Sequence, residues 1–332
     1  MSNLERDPQQ TEATGDCPEG PVFEVSPGRL VPLSPRRPRD RADGRPRDET
    51  IVNRLLPQRH RRMVGAWCFV DHYGPDDISE TAGMQVAPHP HTGLQTVSWL
   101  VEGAVHHRDT IGSDALVRPG ELGLMTAGRG IAHSERSPSD RPSVLHGLQL
   151  WVALPEAARH SAPAFEHHTD LPRWTSRGAV ATVLLGRVGD AVSAATTFTP
   201  IVGAELITDA GADVALPLNP AYEHAIVVAD GAVSTDDGDV KPGELAYLGT
   251  ARDSLRFRSS DGARLLLLGG EPFEERIVMW WNFIGRSHDE IVDSANAWNT
   301  GAAFGSVVGD DGPPIPAPPM PGVALKSRGR TG

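Results

Sequence analysis

Apolar residues along this chain fall in short runs of four to ten positions, divided by turns rich in Gly, Pro and Asp. Leu94 to Val101, Leu145 to Leu154, Val180 to Leu185, Ala225 to Val228 and Leu265 to Leu268 are the clearest. Runs of that length with many β-branched residues predict strands, and so many of them predict barrels or sandwiches. The expected fold class is therefore all-β. One helix interrupts the pattern near the end: Ser287 and Glu290 form a capping box, and Ile291, Val292, Ala295 and Trp298 follow at helical spacing.

The pattern repeats. Gly103-Ala104-Val105 recurs as Gly231-Ala232-Val233, and Arg118-Pro119-Gly120-Glu121-Leu122 recurs as Lys241-Pro242-Gly243-Glu244-Leu245. Each copy reads as strand, Gly turn, strand, Pro-Gly turn, strand, which predicts a duplicated β-domain. The two copies are expected over residues 51–170 and 171–300. Residues 1–50 are rich in Pro, Arg, Asp and Glu and read as a flexible extension, in which only Val22 to Val31 has the apolar content to pack as a strand. Residues 301–332 read as a Pro-rich tail, extended and mobile.

Composition narrows the function classes. With 43 acidic and 31 basic residues the net charge is −12, the wrong sign for a body that grips phosphate backbones, so direct nucleic-acid binding is not expected. There is no run of eighteen apolar residues, so no membrane span is expected. The first residues lack a basic segment followed by an apolar one, and two cysteines, Cys17 and Cys68, cannot build a disulfide framework. Together these predict a cytoplasmic protein.

The segment richest in chemistry is Pro88-His89-Pro90-His91-Thr92-Gly93-Leu94-Gln95. Residues two apart on a strand share a face, so His89 and His91 can share one ion. Ile131-Ala132-His133-Ser134-Glu135 has the same spacing. Opposed strands would deliver three imidazoles and one carboxylate to one centre, leaving sites for water or substrate. Such a donor set suits Fe(II), Mn(II), Ni(II) or Cu(II); a structural Zn(II) site more often uses Cys, and none lies near. Gln95 would share the face of His89 and His91 if the strand ran straight, where it either orients a bound water or packs. Asp71 and His72 are candidates to hold a ligand imidazole, with capping of the turn at Tyr73-Gly74-Pro75 the preferred reading. His106-His107 and His167-His168 are expected to be exposed, and Trp99 and Trp151 to sit in the core.

At these residues the sequence resembles the pirin family, a branch of the cupins. The resemblance rests on His-Pro-His-x-Gly-x-x-Thr-Val at 89–97, Met-Thr-Ala-Gly-Arg-Gly-Ile-x-His-x-Glu at 125–135 and His-Gly-Leu-Gln-Leu-Trp-Val at 146–152. It also includes Phe69-Val70-Asp71-His72-Tyr73-Gly74-Pro75 upstream and Gly270-Glu271-Pro272 downstream. It implies two consecutive cupin β-barrels with a short C-terminal helix, and one iron, as Fe(II), in the first barrel on His89, His91, His133 and Glu135. Mn, Ni, Cu and Zn stay as alternatives. Pirins commonly carry Arg and Glu where this chain has Thr92 and Gln95. Bacterial pirin-like proteins are associated with quercetin 2,3-dioxygenase activity, which implies a small-molecule substrate, O2, and Glu135 as the candidate base. Nuclear pirins act as iron-dependent transcription cofactors, which implies the alternative: a non-catalytic redox sensor with a protein partner.

The second copy should hold no metal. Gapless alignment on the repeated turns sets Pro217 and Asn219 against His89 and His91, and Arg256 and Arg258 against His133 and Glu135. Two ligand positions would then be cations. His224 is the one histidine near these strands.

Overall fold

A computed structural model describes residues 20–32 and 51–329. The strands of the first half are β1 (Pro21–Pro27), β2 (Arg29–Pro32), β3 (Ile51–Leu56), β4 (Trp67–Asp77), β5 (Gln85–His91), β6 (Leu94–Glu102), β7 (Val105–Asp109), β8 (Asp114–Val117), β9 (Leu122–Thr126), β10 (Ile131–Arg136), β11 (Val144–Ala153) and β12 (Ala164–His168). β2 to β12 form a seven-stranded sheet in the order β12-β9-β6-β11-β4-β3-β2 and a four-stranded sheet in the order β5-β10-β7-β8. The second half repeats this plan, with β1 followed by Glu244–Gly249, Glu223–Gly231, Ala263–Gly270, Ile201–Thr208, Ala179–Leu185 and Arg173–Ser176 in its large sheet. Its small sheet runs Ala212–Pro217, Ser254–Ser259, Val233–Thr235, Asp239–Val240. The ladders of the two sheets stay separate, so each expected barrel is built as two facing sheets.

The repeated turns are physically the same object. In the first copy the Arg118 N–H donates to the Glu121 carboxylate at 3.0 Å and the Glu121 N–H to the Arg118 carbonyl at 3.1 Å. In the second, the Lys241 N–H donates to the Glu244 carboxylate at 2.8 Å and the Glu244 N–H to the Lys241 carbonyl at 3.1 Å. The Gly at the third position takes φ of +83° and +78°, a conformation that glycine adopts without steric cost.

Three apolar cores follow from the period-2 alternation of the strands. One fills the second domain, around Val214, Leu216, Ile226, Phe257 and Leu265. A smaller one lies inside the first, around Val31, Val52, Tyr73, Leu100 and Leu145. The largest joins the two large sheets face to face, through Trp67, Trp99, Leu148 and Leu150 of the first domain and Val227, Leu245, Tyr247, Leu266 and Leu268 of the second. The Trp67 indole donates to the Val202 carbonyl at 3.0 Å across this interface. A Cβ on Gly203 would stand 2.6 Å from the Trp67 ring, so the close approach of the sheets requires glycine there.

The two ends of the chain cross over. Part of the expected 1–50 extension is folded: β1 pairs with Glu244–Gly249 of the second domain and β2 with β3 of the first. Val31 is buried and Phe23 packs on the second core, which gives this stretch the apolar contact that a tail lacks. The remainder of 1–50 lies outside the described residues. The C-terminal tail, expected to be mobile, is docked within the described residues up to 329. The Ile315 N–H donates to the Pro88 carbonyl of β5 at 2.8 Å, and Trp298 donates to the Ile315 carbonyl at 2.8 Å. Ala317 and Leu325 are buried in a fourth apolar cluster with Trp280, Trp281 and Phe283. The predicted helix spans His288–Asn299, and the Ser287 side chain caps it by accepting from the Glu290 N–H.

Candidate metal centre

The elements that carry the histidines are adjacent. β5 and β10 pair antiparallel with His89 opposite His133 and His91 opposite Ile131. One ligand atom from each of His89, His91 and His133 lies within 4.8 Å of the others, and all three side chains are fully buried. Nε2 of His91 and Nε2 of His133 are 3.1 Å apart. A chain ending β5 must turn sharply to begin β6, and Gly93 does this at φ +70°, where a Cβ would stand 2.2 Å from the Ile284 carbonyl oxygen.

Each ring is aimed by its other nitrogen or edge. Nδ1 of His89 bonds the Ala87 carbonyl at 2.8 Å, which leaves Nε2 with its lone pair toward the centre. His91 is hydrogen-bonded to the backbone of Asn282, in the returning C-terminal segment, and its edge meets the Trp151 face at 5.3 Å. Burial is the main cause that holds all three rings neutral. His89 is pushed down to about 4, with the Glu135 charge partly offsetting burial. His91 and His133 lie well below the usual range, His89 adding to burial in each. Neutral imidazoles with convergent lone pairs are what a divalent ion needs, so the triad could hold a metal.

Glu135 is buried, at 1% exposure, beyond a bulge that separates it from His133 in the ladder. Ser98 of β6, on the facing sheet, donates to its Oε1 at 3.3 Å, and the same hydroxyl lies 3.2 Å from Oε1 of Gln149. The Glu135 charge acts on His89, but the group whose ligand atoms lie within 4.8 Å of one another comprises the three histidines without Glu135.

Other expected residues fall elsewhere. Gln95 does not share the histidine face. The chain breaks direction at Gly93, and on β6 the alternation sends Ser98 and Leu100 inward but Gln95, Val97 and Trp99 toward the second domain. The Gln95 amide donates to Thr126 Oγ1 at 3.0 Å and to the Thr196 carbonyl at 3.1 Å. Asp71 forms a bidentate pair with buried Arg54, both bonds 2.8 Å. Trp99 and Trp151 are core residues, as expected.

His72 meets His146 instead of a metal ligand, their Nε2 atoms 2.7 Å apart and one ring donating to the other. Burial pushes His72 down to about 4, and His146 adds to the shift. An unfolded chain protonates this ring near 6.5, so between these values the unfolded state holds the extra proton. The stability this ring contributes is complete above about pH 6.5 and is lost as pH falls toward about 4, on the order of 3 kcal/mol over the window. Urea midpoints measured from pH 7 to 4 should fall accordingly, and His72→Gln should flatten the slope. An unchanged slope contradicts the assignment.

One residue that the sequence reading placed on the surface lies inside. His107 is buried, with Nδ1 3.2 Å from Nδ1 of His133 and Nε2 3.2 Å from Asp109 Oδ2. The available signal was His107-x-Asp109 on the alternating strand β7, whose inward positions are 105, 107 and 109. Its neighbour His106 faces outward to Asp114, while His167 and His168 pair with Glu121 and Glu166 near the surface.

The second domain holds no such group among the described residues. The reason differs from the aligned cations. Arg256 and Arg258 are exposed and pair with Asp213. Their inward-facing neighbours on the equivalent strands are Val214, Leu216, Leu255 and Phe257, all buried. A one-residue register error exchanges the faces of a strand; apolar packing, not charge, fills the equivalent interior.

Comparison with known proteins decides the family. Residues 49–152 match the pirin family model and residues 203–305 match the pirin C-terminal cupin domain. The chain belongs to the pirin family. It is a two-domain cupin protein on both counts, sequence and fold. Among relatives, a Pseudomonas aeruginosa protein named as a candidate quercetin 2,3-dioxygenase is 45% identical over 272 residues, 81% of this pirin and 86% of that protein. Human pirin is 33% identical over 224 residues, 64% of this chain and 76% of its own. A crystal structure titled quercetin 2,3-dioxygenase, from Acinetobacter baumannii, matches with a TM-score of 0.84 at 35% identity, covering 92% of this chain and 97% of that one.

Proposed function

We propose that this pirin is a cytoplasmic, metal-dependent dioxygenase of the quercetin 2,3-dioxygenase type, with one iron(II) held by His89, His91, His133 and Glu135. The observation that carries the reading is the buried, neutral histidine triad, its ligand atoms within 4.8 Å of one another, with the buried Glu135 carboxylate close enough for its charge to act on His89. Three nitrogens and one oxygen leave room in an octahedral shell and suit iron, and the same set would accept Mn, Ni, Cu or Zn. The chemistry the ion supplies when bound is polarisation of a chelating hydroxyl, which lowers its pKa, and a redox partner for O2. The protein's own part is to orient and to exclude water. Glu135, fixed by Ser98 Oγ, is the candidate base for a flavonol 3-hydroxyl proton. Two of the named relatives support the substrate class.

The complete burial of the ligands favours a second reading, in which the site senses oxidation state and signals to a protein partner without turnover. Oxygen uptake separates the two. Iron-loaded protein, reconstituted without air and mixed with quercetin, is expected to consume quercetin and O2 in equal amounts and release carbon monoxide. Glu135→Gln should suppress that turnover more than it suppresses iron binding. No uptake across flavonols and catechols would overturn the enzyme reading in favour of the sensor.

A further inference from the structure

His107 sits between a metal-facing histidine and a carboxylate, and its neighbours leave little freedom in how protons are placed. Asp109 Oδ1 is occupied by the N–H groups of Ile111 and Ser113, at 3.0 and 2.9 Å. Oδ2 faces His107 Nε2 at 3.2 Å. A carboxylate only accepts, so Nε2 of His107 carries the proton and donates. A His107 ring holding that one proton has a bare lone pair at Nδ1, which lies 3.2 Å from Nδ1 of His133. Two imidazole nitrogens that close need a proton or a metal ion between them. The ion would serve the Nε2 pair of His91 and His133, so the Nδ1 pair needs a proton, and His107 has none to give there. His133 must therefore be protonated at Nδ1, which leaves its Nε2 lone pair toward His91 and the centre. Phe165 of β12 stacks on the His107 ring at 4.1 Å and 7°, fixing its plane.

We infer that His107 and Asp109 are positioning residues that select the Nε2-ligating tautomer of His133. The inference rests on the metal reading above. It makes His133 different from the other two ligands. Their rings are set by backbone groups, whereas that of His133 is set by a side-chain chain of two members. It also gives the carboxylate of Asp109, the residue paired with His133 in the β7–β10 ladder, a role at the centre.

Three substitutions test it. His107→Phe keeps an aromatic ring against Phe165 but removes the acceptor. His107→Asn puts a carbonyl oxygen near the place of Nδ1, so it can still accept from His133. Asp109→Asn keeps the oxygen that caps the turn but presents N–H groups to His107, which reverses the tautomer of both rings. Affinity for Co(II), used as the probe, would be measured by competition with a chelator, and the Co(II) absorption spectrum would report ligand number. His107→Phe and Asp109→Asn should each weaken binding about 10–100-fold, the usual effect of losing a partner that orients a ligand. The double variant should be no weaker than the worse single one, and His107→Asn should keep near wild-type affinity and spectrum. Wild-type affinity in His107→Phe, or equal loss in His107→Asn and His107→Phe, overturns the relay while leaving the metal site standing. A wild-type protein that takes up no Co(II) overturns the metal reading and the relay with it.

Discussion

His133→Ala, and equally His91→Ala, should abolish stoichiometric metal uptake while the fold persists. Each removes one of the three imidazoles that converge within 4.8 Å. The effect should exceed the 10–100-fold that follows from disturbing an orienting partner, because here the donor atom itself is gone. The fold should persist because none of these rings belongs to the apolar clusters that hold the sheets together. Removing a buried imidazole also removes a polar group that burial penalises. Metal-free His133→Ala should lie within about 1–2 kcal/mol of the metal-free parent, an ordinary cost for a single substitution. Elemental analysis, circular dichroism and urea unfolding check the two halves. Full metal retention in either variant would reject the assignment, and collapse of the dichroism would show that the triad is a structural core.

Arg54→Met should cost stability heavily and leave the metal site intact. Arg54 and Asp71 are 3% and 0% exposed, joined by two bonds of 2.8 Å, and the guanidinium lies 4.5 Å over the Phe69 ring. Removing the cation leaves the Asp71 carboxylate buried beside apolar surface, a loss of roughly 3–5 kcal/mol. The companion Arg54→Met with Asp71→Leu should recover most of it, because the uncompensated charge is gone. Urea midpoints measure the first effect. If instead stability held and metal affinity fell, Asp71 would belong to the metal centre, as one reading of its sequence context suggested.

What the chain's letters disclosed was what local periodicity encodes. His89-x-His91 and His133-x-Glu135 each share a face on a strand, so a shared centre could be read from spacing. The capping box at Ser287 and Glu290 marked the helix, and the Pro-Gly-Glu turns exposed the duplication because turn chemistry is local. What escaped depends on where a strand bends or which distant segment it meets. Gln95 faces the second domain because Gly93 redirects the chain, and two letters of spacing say nothing of that bend. Arg256 and Arg258 point outward because the true register differs by one residue from a gapless alignment. The apolar content of Val22 to Val31 marked a possible strand there, but not its partner, because Glu244–Gly249 is more than two hundred residues away. The Pro-rich tail is held by the Pro88 carbonyl and the Trp298 indole, neither visible in its own composition. His107 resembled a surface residue because its partners, Asp109, His133 and Phe165, are brought together by three different strands.

The central claim is one metal, in the first domain, on the histidine triad and Glu135. Anomalous diffraction at the iron edge from crystals of the iron-reconstituted protein tests it most directly. One peak per chain is predicted, within bonding distance of Nε2 of His89, His91 and His133 and of a Glu135 carboxylate oxygen, with none in the interior around Val214 and Phe257. A peak elsewhere, a second peak in the second domain, or no peak at the triad would contradict it.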